Sequence, residues 1–272
     1  MQASLFGQVM KVIEMVPPEQ LRIPFGSRPF LITFRGEGSL DYGGPYREVL
    51  TLICKELMSD TLDLFVPVPN QRHELGDNRE MFIPSPSASS VGSLALFRAF
   101  GKLLGVVLRS TDTLDLMLPS LFWKGLVGDE RDLSDLAAID QMAVRTLACV
   151  RDLDSASESF SYLIDERFET ILSDGSRVEL LPGGGRKRVK FENRLRWMEL
   201  VIKARLHECD VQTEAIREGR TWGCFSCCLN VWGGLGDDVW LAFPLPLAAA
   251  NIGADLSSSH ISLLLFPSPL LL

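Results

Sequence analysis

The chain has 272 residues, 46% of them hydrophobic and 23% charged. That is enough chain to bury its own core, and the composition is that of a globular protein needing no metal or disulfide staple. The formal net charge of −8 repels phosphate backbones, so nucleic acid is not an expected partner. The cysteines at 54, 149, 209, 224, 227 and 228 do not form an extracellular disulfide framework. The first residues lack the basic start and apolar run of a signal peptide, and no stretch of about 18 apolar residues suggests a membrane span. A cytoplasmic setting is expected, with the nucleus as the alternative.

Leu5, Val9, Val12, Ile13 and Val16 recur at helical spacing and predict an amphipathic helix over 4–16, ended by Pro17-Pro18. Pro29 to Phe34 reads as a short strand. Glycines at 36, 38, 43 and 44 then interrupt the chain, and a helix is expected from Tyr46 to about Met58. Leu62–Val66 and Met81–Ile83 read as strands around a polar turn, and Pro84 to Ser93 as a Ser/Pro-rich connection. Leu94 to Arg109 is apolar nearly all round and predicts a central buried helix, with Gly101 and Gly105 allowing close packing. A helix over Leu114–Gly125, broken at Pro119, is followed by one over 135–152 capped by Ser134. Residues 162–164, 177–180 and 188–191 read as short strands, with Gly183-Gly184-Gly185 making a hairpin of the last two. Asn193 caps a long helix over 194–218. Helices around short strands predict an α+β, mainly α, fold.

The composition changes at residue 220. All 27 lysines and arginines lie at or before Arg220, although about six would be expected in the remaining 52 residues at the earlier density. Asp237, Asp238 and Asp255 carry the only formal charge beyond it, which leaves −5 on residues 1–220. The segment 221–272 reads as an unrelated, disordered apolar tail from an alternative or aberrant C-terminus.

At Gly36 to Glu48 the sequence runs Gly-Glu-Gly-Ser-Leu-Asp-Tyr-Gly-Gly-Pro-Tyr-Arg-Glu. Gly43 and Gly44 permit a turn at positive φ, Asp41 can accept backbone amides, and Arg47 and Glu48 can pair with charges elsewhere. This segment resembles the opening signature of HECT domains, the catalytic modules of one class of ubiquitin-protein ligases. Further blocks match in order. They are Phe97–Gly105, Leu121–Lys124 with Asp132–Leu136, Asp165–Phe168 before a Gly-rich turn, Glu192-Asn193 opening a helix, and Ala215–Gly219. The resemblance runs from about 29 to 219 and stops there.

The resemblance implies the N-terminal lobe of a HECT domain. Residues 1–20 would be an N-terminal helix and linker, 21–160 the large subdomain, 161–220 part of a small subdomain that docks the conjugating enzyme, and 221–272 the tail. It implies Gly38, Asp41, Gly43, Gly44, Arg47, Glu48, Gly101 and Gly105 as structural signature positions. It implies ubiquitin, a ubiquitin-conjugating enzyme and protein substrates as partners of the full-length parent, with the conjugating enzyme bound weakly or not at all by this incomplete docking subdomain, and no cofactor or metal. The family's nucleophilic cysteine belongs to a C-terminal lobe with no counterpart here. The expected role is therefore a fragment of a ligase without its own nucleophile, or a non-catalytic module that captures the conjugating enzyme.

Other chemistries fare worse. Cys224-Phe225 echoes a reactive cysteine beside an aromatic, but the tail offers no cation to favour a thiolate. Cys224, Cys227 and Cys228 with His260 lack a second ligand pair at zinc-site spacing. Cys54 and Cys149 read as core residues on helix faces. Gly183–Arg188 lacks the Gly-Lys-Ser/Thr end of a phosphate loop and reads as a solvated turn.

Overall fold

The computed structural model describes residues 4–16, 21, 24, 26–28, 30–34, 43–110, 112–153, 160, 163–221, 252–254 and 261–265. The chain divides into two compact units. One comprises residues 1–62, 90–116 and 214–272, and the other 63–89 and 117–213.

The first unit is built on helices α1 (Leu5–Met15), α2 (Gly44–Leu57) and α4 (Val91–Val107) with strand β1 (Leu31–Phe34). Ser4 caps α1 by accepting from the Gly7 amide, as a short polar side chain does at an N-cap. The first two amides of α1, Leu5 and Phe6, donate to the Glu56 carboxylate at 3.0 and 2.7 Å, so α2 satisfies donors that α1 cannot satisfy itself. Phe6, Val9, Met10, Val12 and Ile13 of α1 are buried together with Val49, Leu50 and Ile53 of α2 and Phe97, Phe100 and Leu103 of α4. Burial at this periodicity on three helices is what turns the apolar stripes of the sequence into one core. In the tail, β6 (Ile252–Ala254) pairs with β7 (Ile261–Leu265), which pairs antiparallel with β1 in the order β1-β7-β6. The remaining tail residues, on which the expectation of disorder chiefly falls, lie outside the described set.

The second unit carries β2 (Phe65–Pro67) and β3 (Phe82–Pro84) as an antiparallel pair. Between them lies a short helix α3 (Pro69–His73), opened by a proline whose missing amide costs nothing at that position. Helices α5 (Ser120–Val127), α6 (Leu133–Ile139), α7 (Gln141–Asp152) and α8 (Arg194–Leu206) and the hairpin β4 (Glu169–Ile171)–β5 (Arg177–Glu179) complete it. Helix α9 (Asp210–Thr221) starts at its end. One cluster of its core gathers Leu147, Val150, Phe168, Val189, Trp197, Met198 and Val201; another gathers Val68, Ile83, Leu121, Leu136, Ile139 and Leu206.

The α+β, mainly helical class stands, with several local corrections. Leu114–Pro119 is not helical; the Met117 carbonyl there accepts from the Phe82 amide at 2.8 Å, and α5 begins only after Pro119. Asp132, not Ser134, caps α6, in a reciprocal box with Asp135. The expected helix 135–152 breaks at Asp140, which ends α6 and caps α7 through the Ala143 amide. The expected helix 194–218 breaks between Leu206 and Asp210, and the Asn193 side chain accepts from the Lys190 amide instead of capping α8. Leu163 is helical and Ile164 irregular, so no strand forms there; Tyr162 lies outside the described residues. Residues 184–186 form a 3-10 turn, and among the described residues the pairing along 188–191 is a single bridge between Arg167 and Arg188. The hairpin of this region is β4–β5, closed through Asp174 and Gly175.

Candidate functional site

Of the signature positions, Gly38 and Asp41 lie outside the described residues. Gly43 takes φ +111°, where side chains are strained, and stands at the N-cap of α2 with Pro45 following in the first turn. A methyl group at Gly43 would collide with the Arg28 guanidinium; one at Gly44 would meet nothing within 4 Å. Arg28 in turn lies 5.6 Å from the ring centre of the fully buried Tyr46, whose ring is 5.2 Å from that of Phe30. Arg47 donates from Nε to Asp112 Oδ1 at 2.7 Å, and Arg28 Nε approaches the other carboxylate oxygen at 3.8 Å. The Asp112 side chain is 3% exposed, so two arginines hold a buried charge that would otherwise be costly. Glu48 is exposed. The segment therefore acts as a joint, tying the start of α2 to the chain that follows α4.

Gly101 is buried in α4, but open space faces Gly105, so close packing does not explain that glycine among the described residues. The close approach in this unit falls on Gly219, where a methyl group would overlap the Arg98 carbonyl of α4. Arg98 Nε also donates to Glu218 at 2.6 Å.

The second unit contains a buried ionic cluster that sequence reasoning missed. Arg205, 4% exposed, reaches Asp140 at 2.9 Å and Glu208 at 3.1 Å. Glu208 accepts from the Ser173 amide at 3.0 Å and from the Ser173 hydroxyl at 2.5 Å, and Arg205 Nη2 donates to that hydroxyl oxygen at 3.1 Å. Arg72 donates to the Ser173 carbonyl. Burial raises the Glu208 carboxyl above the ordinary range, and Arg205 and Ser173 offset that only in part. The β4–β5 turn is thereby fixed to the corner between α8 and α9. The fully buried Asn70 makes a parallel joint: its amide donates to the Asp77, Ala137 and Ala138 carbonyls, and its oxygen accepts from Gln141. The only signals in sequence were an Asp after a helix and an Arg–Glu pair three apart, both common on solvated helices.

Neither Cys54 nor Cys209 sits in a thiolate-favouring place. Burial pushes the Cys54 thiol up to about 11. Cys209 is buried, donates to the Pro84 carbonyl at 3.0 Å, and its thiol is raised well above the ordinary value by burial and by Glu208 and Asp210. Cys149 is exposed on α7, which corrects its expected place in the core. Cys224, Cys227, Cys228 and His260 lie outside the described residues. Among the described residues no cluster of His, Cys, Asp and Glu could hold a metal ion, and no helix is long and apolar enough to cross a membrane.

The HECT-domain (ubiquitin-transferase) family matches residues 51–224, and the chain belongs to that family. It is 33% identical over 216 residues to the E3 ubiquitin-protein ligase HERC2 of Homo sapiens, a match covering 79% of this chain and 4% of that protein. It is 31% identical over 192 residues to the E3 ubiquitin-protein ligase HECW1 of Mus musculus, covering 69% and 11%. With the E3 ubiquitin-protein ligase RSP5 of Chaetomium thermophilum it shares 28% identity over 193 residues, covering 70% and 22%. The chain thus spans a small part of the length of these relatives.

Proposed function

We propose that this chain is a segment of a HECT-type ubiquitin-protein ligase that receives a ubiquitin-charged conjugating enzyme but forms no ubiquitin thioester itself. The observation that carries the reading is the family match across residues 51–224, laid over an ordered helical scaffold. In such a ligase ubiquitin passes to a cysteine as a thioester and then to a substrate lysine, which splits a difficult acyl transfer into two easier ones. That cysteine needs an accessible thiolate. Cys54 and Cys209 are buried with raised thiols, so neither supplies it, which supports a scaffold over a nucleophile at those two positions. Residues 161–220 are assigned to the docking subdomain.

A second reading is a non-catalytic module that captures the conjugating enzyme or competes with a complete ligase. The tight internal bracing of the second unit by Arg205 and Asn70 favours it, since a rigid surface binds at lower entropic cost than a fluid one. Titration of the chain with a panel of ubiquitin-charged conjugating enzymes tests both readings. Saturable binding to at least one is expected. An absence of binding at high micromolar concentration to every member overturns the docking assignment.

A further inference from the structure

Strand β1 and the residue before it are held to the core through alternate positions. Phe30 and Ile32 are buried, and the Phe30 ring lies 5.2 Å from that of the buried Tyr46. A strand anchored in this way still has backbone donors and acceptors along its edges to satisfy. Among the described residues its one sheet neighbour is β7, in the order β1-β7-β6. Strand β1 lies within the part of the chain that resembles the family, whereas β7 lies beyond Arg220, where the lysines and arginines stop.

The antiparallel register matches residue types rung by rung. Leu31 stands opposite Leu264, Ile32 opposite Leu263 and Phe34 opposite Ile261. The one polar residue of β1, Thr33, stands opposite the one polar residue of β7, Ser262. Apolar pairs and hydroxyl pairs are favoured cross-strand combinations. A slip by one residue would set Ser262 against Ile32, which is fully buried, or against Phe34. On the far side of β7, Ile252, Gly253 and Ala254 of β6 stand opposite Leu265, Leu264 and Leu263. Neither β6 nor β7 carries a charge or a proline, the devices that keep an edge strand from pairing with other segments.

We propose that the edge of β1 is a strand-acceptor site for an extended apolar segment with a single hydroxyl rung, and that residues 261–265 of the chain fill it in cis as a detachable strap. The mode is strand addition: main-chain hydrogen bonds hold the segment, and its order of side chains selects it. Four rungs join the strap to β1, a short pairing that opens at little cost compared with the helical core. Because the strap is tethered to the site that it occupies, a free copy of the same sequence competes at a disadvantage. The site lies within the first unit and does not rest on the ubiquitin-transfer reading.

The test uses the full chain and its L263P/L264P variant, whose prolines remove donors on both edges of β7, with L270P/L271P as the control. Hydrogen exchange of the parent should show protected amides within residues 31–34. L263P/L264P should release them by about tenfold or more, while α1, α2 and α4 keep their protection. A labelled peptide with the sequence of residues 259–265 between pairs of lysines should bind L263P/L264P saturably. It should bind the parent and L270P/L271P about tenfold more weakly or less. Should L263P/L264P fail to fold, cross-linking decides: T33C/S262C must form a disulfide on mild oxidation, mapped by mass spectrometry, and the slipped pair T33C/L263C must not. Free exchange at 31–34 in the parent, no peptide binding, equal binding to parent and L263P/L264P, absence of the T33C/S262C disulfide, or a disulfide in the slipped pair overturns the proposal.

Discussion

Gly219 of α9 rests on the backbone of Arg98 of α4 so closely that a single methyl group would overlap the Arg98 carbonyl. A glycine here lets two helices approach at backbone distance, and the Arg98–Glu218 ion pair lies beside the contact. Gly219→Ala must push the helices apart or bend one of them. Overpacking of this kind costs about 1–3 kcal/mol. Urea unfolding of the variant should show a lower midpoint, whereas Gly105→Ala, facing open space in a helix interior, should hold or raise it. Equal effects at the two glycines would contradict the contact.

Arg205 neutralises two buried carboxylates at once. Arg205→Met leaves Asp140 and Glu208 buried without their cation and should cost about 3–5 kcal/mol. The triple variant R205M/D140N/E208Q removes the stranded charges and should recover a large part of that loss. Chemical denaturation of the two variants side by side is the measurement. Equal stability of the single and triple variants would show that stranded charge is not the cause.

Asn70→Ala removes one acceptor and two donors that bind four backbone groups in a fully buried position. The carbonyls of Ala137 and Ala138 and the Gln141 amide lose a partner together. A cost of about 1–3 kcal/mol is expected for the stranded groups. Hydrogen exchange should speed up first at the α6–α7 junction. Exchange that rises evenly across the second unit would contradict this assignment.

Two carboxyls should respond to acid with opposite signs. Hydrogen bonds from the Ser134 hydroxyl and from the Ser134 and Asp135 amides hold the Asp132 carboxyl below its ordinary value. Its contribution is present above the ordinary value of about 3.9 and is lost as pH falls through the lower folded value. Burial raises Glu208, so the protonated form is favoured in the fold and stability falls as pH rises through that raised value. Over the interval from pH 6 to pH 3 the stability advantage of the parent over Asp132→Asn should therefore hold until about pH 4 and shrink below it. Glu208→Gln should gain on the parent as pH rises over the same interval. Unfolding midpoints across that range check both, and parallel curves for the two variants would contradict the pairing.

The elements most legible in the sequence are those whose apolar spacing alone decides them. Helices α1, α2 and α4 show their buried stripes directly, and the strands at 65–67 and 82–84 were visible as apolar runs between turn residues. Two of the differences turn on partners far along the chain, and the third on a local choice between two caps. At Asp140 nothing in the local sequence breaks a helix; the break follows from the ion pair with Arg205, 65 residues later in the chain. Leu114–Pro119 is apolar enough for a helix, yet extends because its backbone serves Phe82. Asp132 and Ser134 can each cap, and the carboxylate at 135 selects the former by completing the reciprocal box. In the signature, positive φ at Gly43 was readable, but the buried Asp112 that receives Arg47 was not, since an aspartate in a polar stretch carries no mark of its burial.

We propose that this chain scaffolds ubiquitin transfer without carrying the ubiquitin. The direct measurement incubates it with activating enzyme, labelled ubiquitin and a panel of conjugating enzymes, and resolves the products on non-reducing gels. Labelled conjugating enzyme and no thiol-sensitive ubiquitin adduct on the chain are expected. An adduct that thiol reductant removes, and that disappears on substitution of any one of its six cysteines, would contradict it.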